Sequence, residues 1–190
     1  MTGPKNEYEK IYLKPAELCI SRVPTLVTTI LGSCVSVTMR SPKLGVAAIC
    51  HALQPACPKL SMICPEHCLK KYQYVSCVIP EMIRRMEAFG ASREALDVKI
   101  FGGAAVLATP FDRSIGWQNI TATVSILEHL GIGLKAHQVG GRFGRKIIFD
   151  THTGEVKIKT VRYSAALRSI ETGQQKSVKE AVNHDILSRQ

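Results

Sequence analysis

Three extended segments follow one another between Pro24 and His51 with only short breaks, and they commit this part of the chain to a sheet. Pro24-Thr25-Leu26-Val27-Thr28-Thr29-Ile30-Leu31 is rich in β-branched residues, which suit a pleated, half-buried surface. Gly32-Ser33 interrupts it. From Cys34 to Arg40 the chain alternates, with Val35, Val37 and Met39 on one face and Cys34, Ser36, Thr38 and Arg40 on the other. That period of two is a strand's. Ser41-Pro42-Lys43-Leu44 is a short connection, and Gly45 to His51 is a continuous apolar run, the pattern of a strand buried on both faces.

The flanking chain supplies the rest of one α/β domain. Glu9 to Leu13 and Leu18 to Val23 read as short extended pieces around Pro15. Ala52 to Lys71 holds three prolines and three cysteines with little periodicity and reads as a loop. Tyr72 to Phe89 places Val78, Met82, Met86 and Phe89 at helical spacing, as core, and stops at Gly90, a natural C-terminal cap. Asp97 to Phe101 is a strand ending in Gly102-Gly103, and Gln118 to Leu130 is a second amphipathic helix closed by Gly131. Leu134 to Val139 runs into Gly140-Gly141. Arg145 to Phe149 and Glu155 to Val161 flank Asp150-Thr151-His152-Thr153-Gly154, a hairpin with a glycine turn. The domain is expected over residues 8–162, with 163–190 as a peripheral tail carrying one weak helical stripe.

Composition excludes several classes. With 45% apolar and 21% charged residues over 190 positions, the chain is no disordered tail, collagen or coiled coil. Its apolar stretches, such as Leu44 to Cys50, fall short of the ~20 residues of a membrane span, so no membrane insertion is expected. Met1 to Lys14 is charged and lacks the apolar centre of a secretory signal, so a cytoplasmic location is expected. The seven cysteines are then reduced, available for catalysis, metal binding or packing. A net charge of +10 raises nucleic acid as a partner. The basic residues are dispersed, however, aromatics are only 6%, and no nucleic-acid motif appears, so none is expected.

One constellation carries chemistry. A hairpin turn centred between Pro42 and Lys43 sets Cys34 opposite His51. Opposed residues share a face, with Cβ atoms ~4.5–5.5 Å apart, so thiol and imidazole can hydrogen-bond. A slip of one residue would separate them. A thiolate is the nucleophile in such pairs, and the imidazole assists its formation. Gly32-Ser33 permits a tight turn whose N–H groups can face an incoming carbonyl. A third group must orient the imidazole, and an upstream threonine such as Thr28 can serve. Against this stands the ordinary use of cysteine as a small buried packing residue.

The run Thr28-Thr29-Ile30-Leu31-Gly32-Ser33-Cys34-Val35-Ser36-Val37, followed by Gly45-Val46-Ala47-Ala48 and His51, resembles the CheD family of chemoreceptor glutamine deamidases. So do Lys99-Ile100-Phe101-Gly102-Gly103-Ala104, Ile115-Gly116 with Asn119, Val139-Gly140-Gly141 leading to Gly144-Arg145-Lys146, and Thr153-Gly154-Glu155-Val156. The likeness runs in order over about residues 8–162. It implies a single-domain α/β sandwich with mixed and antiparallel sheets flanked by helices, related to bacterial deamidating toxins. It implies a cysteine hydrolase that converts selected receptor glutamines to glutamate through a thioester, without a cofactor. The family pattern sets a threonine six residues before the cysteine and a histidine 17 after it, which gives Thr28, Cys34 and His51 as the catalytic residues. Implied partners are chemoreceptor cytoplasmic helices, whose acidic surface the positive charge would complement, and a CheC-type phosphatase. The alternative is a non-catalytic adaptor binding either one. Trp117-Gln118 and His137-Gln138 depart from the usual pattern, as does the cysteine-rich loop after His51.

The other motifs carry less. Cys57, Cys64 and Cys68, with His67 nearby, lack the paired spacing of a zinc site, so no metal is expected. Gly102-Gly103 and Gly140-Gly141 open into no phosphate-binding motif and read as close backbone approaches at strand ends.

Overall fold

The computed structural model describes residues 8–58, 68–105 and 110–161. The tail from 163 onward, with its helical stripe, lies outside them, as do Cys64 and His67.

Among the described residues nine strands form two sheets. The first contains β1 (Glu9–Tyr12), β3 (Thr25–Leu31), β8 (Gly144–Asp150) and β9 (Val156–Val161), in the order β1-β3-β8-β9. The second contains β2 (Leu18–Ser21), β4 (Val35–Ser41), β5 (Val46–Cys50), β6 (Asp97–Gly102) and β7 (Leu134–Val139), in the order β2-β5-β4-β6-β7. Both are mixed: β1 with β3 and β6 with β7 pair parallel, the other neighbours antiparallel.

The apolar run of β5 now has its reason. Val46, Ala48 and Cys50 face one core with Val35, Val37 and Met39 of β4, covered by helices α1 (Val75–Ala88) and α2 (Ile115–His129). Ala47 and Ile49 face a second core with Val27, Leu31, Ile147 and Phe149 of the first sheet. The second sheet is therefore the middle layer of three. Among the described residues α1 and α2 both lie on one side of it and flank the sandwich there.

Three expectations need adjustment. Ser41 pairs with Val46 and Arg40 with Ala47, so the β4–β5 turn is Pro42–Gly45, closed by Gly45 N–H on the Ser41 carbonyl (3.0 Å). Gly45 has φ +62°, which a side chain would resist. This four-residue turn moves the register by two, and His51 continues opposite Ser36 rather than Cys34. Helix α2 begins three residues early, because Ser114 Oγ caps it by accepting from Trp117 N–H (3.1 Å). Phe89 is 44% exposed, beneath the Arg22 guanidinium (5.7 Å to the ring centre), and is not core.

Candidate active site

The chain crosses from the first sheet to the second between β3 and β4, and Cys34 stands on that crossing. It packs against the core between the sheets. His51 follows β5 in the middle layer and alternates with Ala47 and Ile49, which face the same core. The two-residue register change preserves side-chain parity. Cys34 and His51 therefore keep a common face, as diagonal rather than directly opposed neighbours, a relation still within reach of longer side chains.

His51 is held from several sides. Its N–H donates to the Glu17 carbonyl (3.0 Å) and its carbonyl accepts from Ala16 N–H (2.9 Å). Ala16 adopts φ +60°, unusual for a residue with a side chain, in the turn that follows Pro15. The ring is 3% exposed. Its Nδ1 lies 2.8 Å from Thr29 Oγ1, across the gap between the sheets.

The hydroxyl that meets the ring is Thr29's, one residue beyond Thr28. Along β3, Val27, Thr29 and Leu31 are buried against the second sheet, while Thr28 takes the alternate face. Thr28 contributes its carbonyl to the framework, accepting from Leu13 N–H (2.9 Å).

This network sets the ring's protonation. Thr29 Oγ1 also donates to the Leu13 carbonyl (2.8 Å). A hydroxyl has one proton, so with that proton on Leu13 the Thr29 oxygen accepts from His51 Nδ1–H. The neutral ring then presents an unprotonated Nε2. Burial lowers the His51 pKa to about 4, with a smaller opposing effect from the Leu13 backbone, so the ring is neutral at physiological pH. A neutral imidazole with Nδ1–H fixed and Nε2 bare is a base.

The turn bearing Cys34 is fixed through its carbonyls. Gly32 O accepts from Ala104 N–H (2.8 Å), Ser33 O from Asn119 Nδ2 (3.0 Å), and Cys34 O from Gly103 N–H (2.8 Å). A trans peptide points its N–H opposite to its C=O. The N–H groups of Ser33 and Cys34 are accordingly aimed away from α2 and the end of β6. Asn119 is fully buried at the start of the second turn of α2, and its Nδ2 also donates to Leu53 O (3.0 Å). One amide thereby joins the segment before Cys34 to the segment after His51.

The two glycine pairs meet here, as close backbone approaches. A Cβ on Gly102 would lie 2.2 Å from Cys34 O, and one on Gly103 2.5 Å from the Ile120 side chain. Gly140 N–H donates to Gly102 O (2.9 Å). Asn119 and these glycines belong to motifs visible in the sequence. What assigns them a task is the convergence of α2, β6 and β7 on one turn, which no local pattern reveals.

Among the other described cysteines, Cys50 contrasts with Cys34. Cys50 is fully buried on the helix-facing side, and burial pushes its thiol up to about 12, the state of an inert packing residue. Among the described residues no group of three His, Cys, Asp or Glu is placed to hold a metal ion. None of the described helices is long and apolar enough to cross a membrane.

The fold is thus a mixed two-sheet α/β domain in which a cysteine, a buried histidine and a threonine share the core face between the sheets. Residues 64–160 match the family described as CheD chemotactic sensory transduction. A protein of Geobacter sulfurreducens named probable chemoreceptor glutamine deamidase CheD 2 is 38% identical over 167 residues, covering 87% of this chain and 99% of its own length. A probable chemoreceptor glutamine deamidase CheD of Maridesulfovibrio salexigens is 32% identical, covering 84% and 96%. The counterpart in Sulfurimonas denitrificans is 31% identical, covering 82% and 97%. The chain belongs to the CheD family.

Proposed function

We propose that this protein is a chemoreceptor glutamine deamidase using Cys34 as nucleophile and His51 as base, within the unit spanning about residues 8–162. The observation that carries the reading is the Thr29–His51 bond. It holds the ring of His51, which lies on the same core face as Cys34, and with the Thr29 proton on the Leu13 carbonyl it favours the tautomer with Nδ1 protonated.

The steps follow from that arrangement. His51 Nε2 takes the thiol proton as sulfur attacks the side-chain amide carbon of a receptor glutamine. The oxyanion forms against the N–H groups of Ser33 and Cys34. The His51 imidazolium returns its proton to the amide nitrogen, ammonia leaves, and a thioester remains. His51 then deprotonates a water that attacks the thioester carbon, and the departing sulfur takes the proton back. The product is glutamate, and no cofactor enters the balance. The substrate places the enzyme in the cytoplasm, against receptor signalling helices.

Incubation with receptor cytoplasmic fragments should release ammonia and raise the fragment mass by one dalton per converted site. Cys34→Ala should abolish both while the melting temperature stays near wild type; unchanged turnover would falsify the assignment. The same variant separates chemistry from docking, since an adaptor for receptors or a CheC-type phosphatase would bind equally well without the thiol.

A further inference from the structure

We infer that Ser36 is a positioning residue for the second half of this reaction: its hydroxyl and the His51 imidazole together hold the water that hydrolyses the Cys34 thioester. The inference rests on the Cys34–His51 reading above, and it adds a residue with no role so far.

Among the described residues two buried side-chain atoms have no hydrogen-bond partner, Ser36 Oγ and Asn119 Oδ1. The Asn119 amide already makes two bonds through Nδ2. Ser36 is 0% exposed, and its hydroxyl makes none. A buried hydroxyl without a partner costs stability, and an alanine in its place would be neutral or better. As packing alone, serine is the poorer choice, so the hydroxyl calls for another explanation.

Its position supplies one. Ser36 pairs with Phe101 of β6, which faces the core between the sheets, and alternates with Val35 and Val37, which face the helices. Val35 and Ala52 exchange both backbone bonds (3.0 and 2.9 Å). The next rung, Ser36 and His51, is therefore a non-hydrogen-bonded pair, the kind whose Cα atoms are only about 4.5 Å apart and whose side chains stand closest. Cys34 is two residues before Ser36 and packs against the same core. Ser36 thus has the nucleophile beside it along the chain and the base across the ladder. Thr29 occupies His51 Nδ1, so Nε2 is the ring atom left for another group. Ser36 Oγ lies beside that ring without bonding it directly, and one water between them satisfies both.

In the hydrolytic step that water donates one hydrogen to Nε2 and the other to Ser36 Oγ, which leaves an oxygen lone pair for the thioester carbon. The O–C bond forms and the C–S bond breaks. Nε2 takes the first proton and delivers it to the departing sulfur, and Ser36 neither gains nor loses one. Attack on the amide and release of ammonia involve no water, so the first half of the reaction does not call on Ser36.

The test is rapid-quench measurement of ammonia, with intact mass spectrometry, on the full chain and receptor cytoplasmic fragments, for wild type and Ser36→Ala. The variant should release a burst of ammonia stoichiometric with enzyme at the wild-type rate, then turn over roughly 10- to 100-fold more slowly. A covalent adduct of enzyme and fragment, lighter than the two together by one ammonia, should accumulate. Hydroxylamine, a nucleophile strong enough to act without that grip, should discharge the adduct as the glutamyl hydroxamate and restore turnover. The melting temperature should be at or above wild type. Wild-type steady turnover with no adduct overturns the inference, as does a burst slowed as much as the steady rate. A destabilised or unfolded Ser36→Ala overturns it too, since the hydroxyl would then be a structural partner. Failure of the deamidase reading is seen separately, as ammonia release that survives Cys34→Ala.

Discussion

Replacing Thr29 by Val keeps the side chain's shape and removes the one hydroxyl that bridges the two sheets at His51. Two buried groups lose their partner, the Leu13 carbonyl and His51 Nδ1–H, both 2.8 Å from that oxygen. An unsatisfied buried polar group costs about 1–3 kcal/mol, so the expected loss of stability for two is about 2–6 kcal/mol. For a domain of this size that lowers the melting temperature by roughly 4–24 °C. The catalytic loss is separate. Without an acceptor at Nδ1 the ring is free to rotate or to take the other tautomer, which blocks Nε2. The rate should fall on the order of 10²-fold or more, the usual contribution of a positioned base. Thr29→Ser keeps the oxygen and should recover most of the activity, whereas Thr28→Val should alter stability by less than about 1 kcal/mol and leave kcat near wild type. The assay is ammonia release from receptor fragments, with melting curves for each variant. If Thr28→Val is inactive while Thr29→Val turns over normally, the orienting hydroxyl is on the other face of β3 and the proposed base loses its support.

Acid should destabilise the protein in two windows. His51 protonates at about 4 when folded against 6.5 ordinarily, so the unfolded chain takes the proton first and about 3 kcal/mol is lost as pH falls from 6.5 towards 4; urea titrations of His51→Gln should lack that slope. The Glu81 carboxyl, held down to about 2 by its bond from Arg84 and by Arg85 and Lys71, loses its contribution only below its ordinary 4.5. Asn119→Ala removes the donor shared by Ser33 and Leu53 and should cost about 2–4 kcal/mol with a fall in kcat but not in receptor affinity, measured by melting and steady-state kinetics. Gly102→Ala should suppress Cys34 alkylation and deamidation, because the new Cβ falls 2.2 Å from Cys34 O, whereas Gly141→Ala meets nothing nearer than 4.0 Å and should show only backbone strain of about 1–3 kcal/mol.

What the sequence revealed of this site follows the period of a strand. The turn between β4 and β5 is centred one residue beyond Pro42-Lys43, which shifts the register by two, because Pro42-Lys43 resembles a turn centre and the left-handed Gly45 shows itself only as a glycine. Such an even shift leaves Cys34 and His51 on a common face. The threonine is the opposite case. Thr28 and Thr29 are chemically alike and adjacent, and an offset of one is a change of face. Choosing between them requires knowing which side of β3 meets the second sheet. The start of α2 was missed for a related reason. Gly116 weakens the helical pattern, yet a Cβ there would fall 2.4 Å from Gly103 O, so the glycine serves a close contact with β6. Local periodicity predicted elements and faces, while contacts between elements decided the rest.

The crossing between sheets explains why the catalytic groups come from such different places. A nucleophile in the middle of a strand would have its peptide groups committed to ladder bonds on both sides. Placed between β3 and β4, Cys34 leaves one sheet before it has joined the other. Its turn is instead stapled by Ala104, Asn119 and Gly103 through the carbonyls of Gly32, Ser33 and Cys34, and the N–H groups of Ser33 and Cys34 are aimed away from those partners. The base must then come from the second sheet and its orienter from the first, because only the gap between them lets a threonine on β3 reach an imidazole beyond β5. The Thr29–His51 bond is accordingly a contact between layers as well as the proposed catalytic one. Variants that loosen the packing of Val27, Leu31, Ile147 or Phe149 between the sheets should slow turnover before they unfold the protein.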